Sequence, residues 1–240
     1  MNKADTSSST VVIAIDGPAA SGKSTVARAL AARLGYRFLN SGDLYRAITW
    51  NCLSQDVDCR NVGAVASAVG NSHVEIGCDG TDYYPIVDGT DSRAYLREQV
   101  VNANVSPVSA VPAVRYILSA AIRVHAQGRQ TVVEGRDIGS AVFPETPYKF
   151  YIDAPAQVRQ RRRRDQGQTE EIAKRDFIDS TRSTDPLTIA PGAIVIDSST
   201  LDVAGVVNAM LEKLREQGLV GGIGILPMMS GSHRQDADTA

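Results

Sequence analysis

The chain has 240 residues, is 43% hydrophobic and 22% charged, and carries a formal net charge of −2. This length suits one α/β domain with an insertion or two small domains, and the composition excludes a fibrous or wholly disordered chain. No global basic field draws nucleic acid, and no stretch reaches the roughly 20 apolar residues of a membrane span, so a cytoplasmic protein with no membrane partner is expected.

Residues 1–10 are polar and Ser/Thr-rich and are expected to be disordered. Residues 11–15 (Val-Val-Ile-Ala-Ile) form a short, continuous, mostly β-branched run. It is too short for a signal peptide and predicts a strand buried on both faces, as in a parallel sheet. A glycine-bearing loop follows, then a helix over 23–34 stopped by Gly35. A short strand is predicted at 36–39 and a helix at 42–53.

From about 56 to 95 the pattern changes to that of a small inserted subdomain. Residues 73–78 alternate polar and apolar, Asp79-Gly80 signals a hairpin turn, and 83–87 supply the return strand. Pro85 in that strand favours an edge. A helix is predicted at 111–126 and a buried strand at 130–133, running into Glu134-Gly135-Arg136-Asp137. A strand at 148–152, a basic helical stretch through Arg164, a charged helix at 170–181, a strand at 193–196 and an amphipathic helix at 203–217 complete the pattern. Strands alternating with helices predict an α/β fold with a doubly wound, mostly parallel sheet. Residues 218–240 are Gly-rich, then polar, and are expected to be disordered, although 224–229 form an apolar piece. Cys52, Cys59 and Cys78 are odd in number with no paired spacing, which predicts idle thiols rather than disulfides or a zinc site.

Gly17-Pro18-Ala19-Ala20-Ser21-Gly22-Lys23-Ser24 fits the phosphate-loop pattern, with a strand before it and a helix after it. The glycines let backbone N–H groups turn toward a polyphosphate, and the helix N-terminus adds its positive dipole end. Lys23 brings a point charge to the β- and γ-phosphates. Ser24 offers a hydroxyl to Mg²⁺, with Thr25 beside it. A nucleoside triphosphate, ATP, is the expected ligand.

Further groups follow in order: Ser41-Gly42-Asp43-Leu44-Tyr45-Arg46; Asn102 through Pro112 to Arg115; Glu134-Gly135-Arg136-Asp137-Ile138-Gly139; Arg175-Asp176 with Asp179 and Arg182; and Pro186-Leu187. Together with the phosphate loop, this series resembles bacterial cytidylate kinase over roughly residues 11–214. The resemblance implies an adenylate-kinase-like phosphate-loop core at 11–217, with a nucleotide-binding insertion at about 56–110 and a short lid at about 155–174. It implies transfer of a phosphoryl group from ATP, with Mg²⁺, to CMP or dCMP by a monomer. Lys23, Arg136 and Arg175 would be the catalytic cations. Arg46, Arg136 and Arg175 would hold phosphates near the transfer point, and Ser41 and Tyr45 would line the acceptor site. Ser106, Arg115, Asp137 and Arg182 would contact the cytosine, and Asp179 the sugar hydroxyls. Within the run Arg159, Arg161, Arg162, Arg163 and Arg164, the lid arginines would close over ATP; Arg159 and Arg163 share a helix face, as do Arg159 and Arg162.

Read without the resemblance, several of these residues have plainer roles. Arg136-Asp137 makes an ordinary ion pair at a strand end, Asp179 and Arg182 a surface salt bridge, Ser41 and Ser106 caps, and the arginine run a solvated helix face. Two other functions also fit a phosphate loop: a kinase for a different monophosphate or metabolite, and a nucleotide-dependent nucleic-acid binder using the arginine run. Three features depart from the family pattern. Asn40 replaces an aspartate, Asp43 adds a charge where a small residue is usual, and the segment between the arginine run and Arg175 is short.

Overall fold

The computed structural model describes residues 9–165 and 172–219. Strand β1 (Val11–Asp16) is the apolar run at the start of the chain, and its alternate residues feed two separate cores. Ile13 and Ile15 pack on one face of the sheet, Val12 and Ala14 on the other. That is why the run carries no polar alternation: a strand covered on both faces has no solvent side.

Helix α1 (Lys23–Leu34) follows the phosphate loop and ends at Gly35, whose left-handed φ of 67° lets Tyr36 N–H reach back to Ala31 O at 2.9 Å. The chain continues through β2 (Arg37–Asn40), α2 (Ser41–Ser54), α3 (Val62–Asn71), β3 (Val74–Asp79), β4 (Asp82–Val87), β5 (Thr90–Asp91), α4 (Gln99–Ser109) and α5 (Pro112–Ala126). It then forms β6 (Gln130–Gly135), a π turn (Ile138–Val142), β7 (Tyr148–Asp153), α6 (Ala156–Asp165), α7 (Ile172–Thr181), β8 (Ile194–Asp197) and α8 (Val203–Glu216). The sheet order is β3-β4-β2-β6-β1-β7-β8, with β5 paired to β4. Strands β4, β2, β6, β1, β7 and β8 are parallel, and among the described residues only the β3–β4 and β4–β5 pairings are antiparallel. Residues of α2, α3, α4 and α5 build the core on one face, and those of α1 and α8 the core on the other.

The hairpin turns at Gly80, with φ of 59°. Its return strand joins β2 through one parallel bridge, Phe38 opposite Asp82, beside Phe38 N–H on Thr81 O at 2.9 Å, and so extends the main sheet. Pro85 faces Ile76 of β3, and its carbonyl accepts from Ser92 N–H at 3.2 Å; β4 lies between β3 and β2 rather than at the edge expected for it.

Helices α3 and α4 have no strong signature in sequence. Helix α3 contains Gly63 and Gly70. Helix α4 contains four valines and Pro107, residues that read as strand or turn. Both are helical because their valines reach the core beside α2 and α5. The predicted charged helix is observed from Ile172, and its expected start at 170 lies outside the described residues. So do 1–8 and 220–240, including the apolar piece at 224–229. Cys52, Cys59 and Cys78 are free thiols.

Candidate active site

Four parallel strands end at the same edge of the sheet, at Asp16, Asn40, Gly135 and Asp153. Their outgoing segments converge there, the usual location of a ligand crevice in an open α/β sheet. A cavity of about 640 Å³ opens at this edge. The phosphate loop (Ala19 to Thr25) forms one side. Asn40 to Gly42, Tyr45, Arg46, Ser106 and the Glu134–Asp137 stretch form the other. Eight arginine or lysine side chains line it against four carboxylates, a balance suited to polyanions rather than to a neutral metabolite.

The loop follows its motif closely. At Gly17 a Cβ would overlap the Ile152 carbonyl, so no larger residue fits against β7. Gly22 takes a left-handed φ of 88° and starts α1. Four cations hold loop carbonyls: Arg136 on Gly17 O at 2.7 Å, Lys23 on Pro18 O at 3.1 Å, Arg159 on Ala19 O at 3.0 Å and Arg162 on Ser21 O at 3.3 Å. Burial, and then Arg136 nearby, lower the Lys23 pKa to about 7.

Beneath the loop, the buried Asp16 carboxylate accepts from Ile138 N–H and Gly139 N–H, both at 2.8 Å, at the start of the π turn. Burial still raises its pKa to about 7. This turn is the device that sets Asp137. Val142 N–H bonds Asp137 O at 3.1 Å and Phe143 N–H bonds Ile138 O at 2.7 Å, five residues back in each case. Gly135 is required just before it, because a Cβ there would lie 2.5 Å from Ser41 Oγ.

Asp137 is buried between two arginines. It pairs with Arg115, and its other oxygen accepts from Arg182 at 3.1 Å. Arg115 is fully engaged: it also donates to Asp185 Oδ2 at 3.0 Å and to Ser109 O at 3.3 Å. It therefore supports Asp137 from behind and does not line the cavity, whereas Asp137 and Arg182 do. Asp179 on α7 accepts from Arg136 Nε at 2.7 Å. Burial opposes ionisation of Asp179, but Arg136 and Arg175 outweigh it and hold its carboxyl below the usual range. Arg46 is anchored by its own Gly42 O at 3.0 Å and by Asn102 Oδ1 at 3.3 Å. Burial and Arg175 lower its pKa to about 9, which leaves it charged near neutrality.

Most of the residues singled out in sequence meet at this cavity: Lys23, Ser24, Ser41, Tyr45, Arg46, Ser106, Arg136, Asp137, Arg163, Arg175, Asp179 and Arg182. Arg159 does not. It is 9% exposed, lies under the loop and pairs with Asp176, while Arg162 and Arg163 face the cavity. Arg162 also donates to Ser198 O at 2.6 Å, fixing the loop that supplies Leu201 and Val203 to the cavity wall.

Sequence reasoning missed Glu134 and Arg97 and left a third residue open within the arginine run. Glu134 accepts from Ser24 Oγ at 2.6 Å. Its position at the end of the strand beside β1 is the signal that could have found it. Arg97 lines the cavity and pairs with Asp43 at 2.8 Å, so the added charge of Asp43 is balanced. Arg162 is the third. A hydroxyl and a carboxylate oxygen converging beside a phosphate loop fit Mg²⁺, which binds oxygen ligands through one or two protein groups plus substrate phosphates.

The family model described as cytidylate kinase matches residues 13–216. The cytidylate kinase of Mycolicibacterium paratuberculosis is 41% identical over 228 residues, covering 89% of this chain and 99% of that protein. That of Caldanaerobacter subterraneus subsp. tengcongensis is 39% identical over 218 residues, covering 86% and 96%. That of Rhodococcus opacus is 38% identical over 227 residues, covering 90% and 99%.

Proposed function

The chain belongs to the cytidylate kinase family, and from that premise we propose that it transfers the γ-phosphoryl group of ATP to CMP or dCMP, giving ADP and CDP or dCDP. One observation carries the reading. The phosphate loop and the Asp137–Arg182–Asp179 cluster open onto the same cavity, with Lys23, Arg46, Arg136 and Arg175 lining it.

A phosphate monoester has a second pKa of about 6, so the acceptor is already an anionic nucleophile at neutral pH. No strong base is needed. An acceptor phosphate oxygen attacks the γ-phosphorus in line, the bond to the β,γ-bridging oxygen breaks, and ADP leaves with that oxygen's electron pair. The obstacle is repulsion between two polyanions and the charge that spreads over the transferring group. Lys23, Arg136 and Arg175 are the cations assigned to that charge, with Arg46 holding the acceptor phosphate. The Ser24 hydroxyl, with Glu134 behind it, would hold Mg²⁺, which would supply further neutralisation of phosphate charge.

Cytosine presents a donor amine beside an acceptor ring nitrogen. The Asp137 carboxylate accepts from the first, and the Arg182 guanidinium, already alongside it, donates to the second. Uracil reverses that pattern. Arg115 acts on the base through Asp137, Asp179 is assigned to the sugar hydroxyls, and Ser41, Tyr45 and Ser106 complete the acceptor wall. Residues 56–110 form the acceptor side and 155–174 the lid, whose cavity-facing arginines Arg162 and Arg163 reach the donor.

The test is ADP production from Mg-ATP with CMP, dCMP, UMP, AMP and GMP in parallel. Strong stimulation by CMP and dCMP with weak response to the others is expected. A different preferred monophosphate would overturn the base contacts, and no stimulation by any would overturn the activity.

A further inference from the structure

Helix α7 is tied to the phosphate loop by two parallel bridges, each made of a carboxylate, an arginine and a loop carbonyl. In one, Asp179 holds Arg136, which donates to Gly17 O at 2.7 Å. In the other, one turn earlier on the same helix face, Asp176 pairs with Arg159, which donates to Ala19 O at 3.0 Å. Asp176 adds a third contact, accepting from Ala19 N–H at 3.0 Å. Both polar groups of Ala19 are thus committed to this pair.

The first bridge is built from residues already assigned to substrates. The second is not, since neither Asp176 nor Arg159 lines the cavity. Arg159 is buried, with its Nε on Ala154 O at 2.9 Å. Among the described residues, the Arg159 guanidinium bonds that carbonyl, Ala19 O and Asp176, all of them within the protein. The residue after Ala19 shows what the clamp does locally. Ala20 sits at a φ of 58°, a left-handed conformation that a residue with a Cβ keeps only where its surroundings enforce it. Helix α7 shows what it does at a distance. Arg175 adjoins Asp176, Asp179 follows on the same helix and Arg182 just past its end, all three facing the cavity.

We propose that Asp176 is a positioning residue that, through Arg159, couples the two nucleotide sites. It holds the Ala19 peptide groups and α7 in one register, so ordering the donor loop around phosphates also sets Arg175, Asp179 and Arg182 for the acceptor. Such coupling is reciprocal: each nucleotide must tighten the other by the same factor. The inference rests on the assignment of the acceptor site to α7.

The experiment is calorimetric titration of CMP with and without saturating Mg-ADP, a pair that cannot react. It is run on the wild type, Asp176→Asn and Asp176→Ala, with ADP also titrated alone. In the wild type, ADP is expected to tighten CMP about fivefold or more. In Asp176→Ala that ratio falls toward one while each nucleotide still binds, and ADP alone weakens severalfold. Asp176→Asn keeps an acceptor for Ala19 N–H but loses the charge opposite Arg159, and falls between. A residue with a merely structural role would lower thermal stability and leave the ratio alone. If Asp176→Ala does not fold, Arg159→Gln supplies the same comparison. A wild-type ratio near one, or a ratio unchanged in the folded variants, overturns the proposal. A wild type that binds ADP but not CMP breaks the acceptor assignment instead. The clamp is then judged on ADP alone, where unchanged affinity in Asp176→Ala overturns it.

Discussion

The donor and acceptor sides of the cavity share a solvent space but are built in opposite ways. The donor side is eight consecutive residues that present backbone groups, with Arg136, the loop's own Lys23 and Arg159 on three successive carbonyls. The acceptor side is assembled from side chains of α2, α4, the π turn and α7, and its charges are buried against one another. A backbone site tolerates changes of side chain except where glycine or the lysine is needed. In a site of buried ion pairs, each group depends on its partner to remain charged and in place. Loss of one residue should therefore mainly cost rate on the donor side, and selectivity and stability on the acceptor side.

The largest expected effect is on rate. Lys23→Ala should lower kcat by about 10²–10³-fold, the cost typical of removing one group that stabilises transition-state charge. CMP affinity should stay near the wild-type value. Single-turnover kinetics and CMP titration together check this, and a variant that loses CMP binding as severely as rate would erase the contrast between the two sides.

Next is Asp137→Ala. Loss of the base-reading carboxylate should reduce CMP-over-UMP discrimination by about 1–3 kcal/mol. It also leaves Arg115 and Arg182 without their shared partner, and a broken buried pair costs about 3–5 kcal/mol of stability. Denaturant melts and kcat/KM for the two monophosphates measure both. ADP affinity should barely move. Retention of full selectivity in a folded variant would remove Asp137 from the base contacts.

The smallest effect is a fraction of one proton. Lys23, with its pKa lowered to about 7, is mostly neutral at pH 8 in the free protein. A bound polyphosphate favours its charged form and raises that pKa, so donor binding at pH 8 takes up a proton. Asp16, already raised to about 7, shifts in the same direction near an added anion. Well below pH 7 both groups are protonated before and after binding, and uptake vanishes. ADP titrations in buffers of different ionisation heat should show uptake at pH 8 that is largely lost in Lys23→Ala. The same heat in every buffer at pH 8 would contradict the lowered lysine pKa.

How well each side could be read from sequence follows from the same contrast. The phosphate loop, β1 and α1 were legible because their signals are local: a glycine pattern, a β-branched run and a stop at Gly35. The acceptor residues were located through a family resemblance, since Ser106, Asp137 and Arg182 lie far apart in the chain and carry no common local signal. Within the arginine run, chain position could not separate Arg159 from Arg162. Both are arginines on one helix, yet one is drawn under the loop by Asp176 and Ala19 and the other faces the cavity. Asp43 read as an unbalanced charge until Arg97, more than fifty residues away, was seen beside it.

Residue order was enough to establish a doubly wound α/β chain with a nucleotide-phosphate loop, because hydrophobic periodicity and turn chemistry act between near neighbours. Helices α3 and α4, the π turn that sets Asp137, the Ser24–Glu134 contact and the clamp on Ala19 came only from the folded chain. Each depends on burial and on a partner brought close by packing. The energy of a buried charge or a weak helix is set by what surrounds it in space.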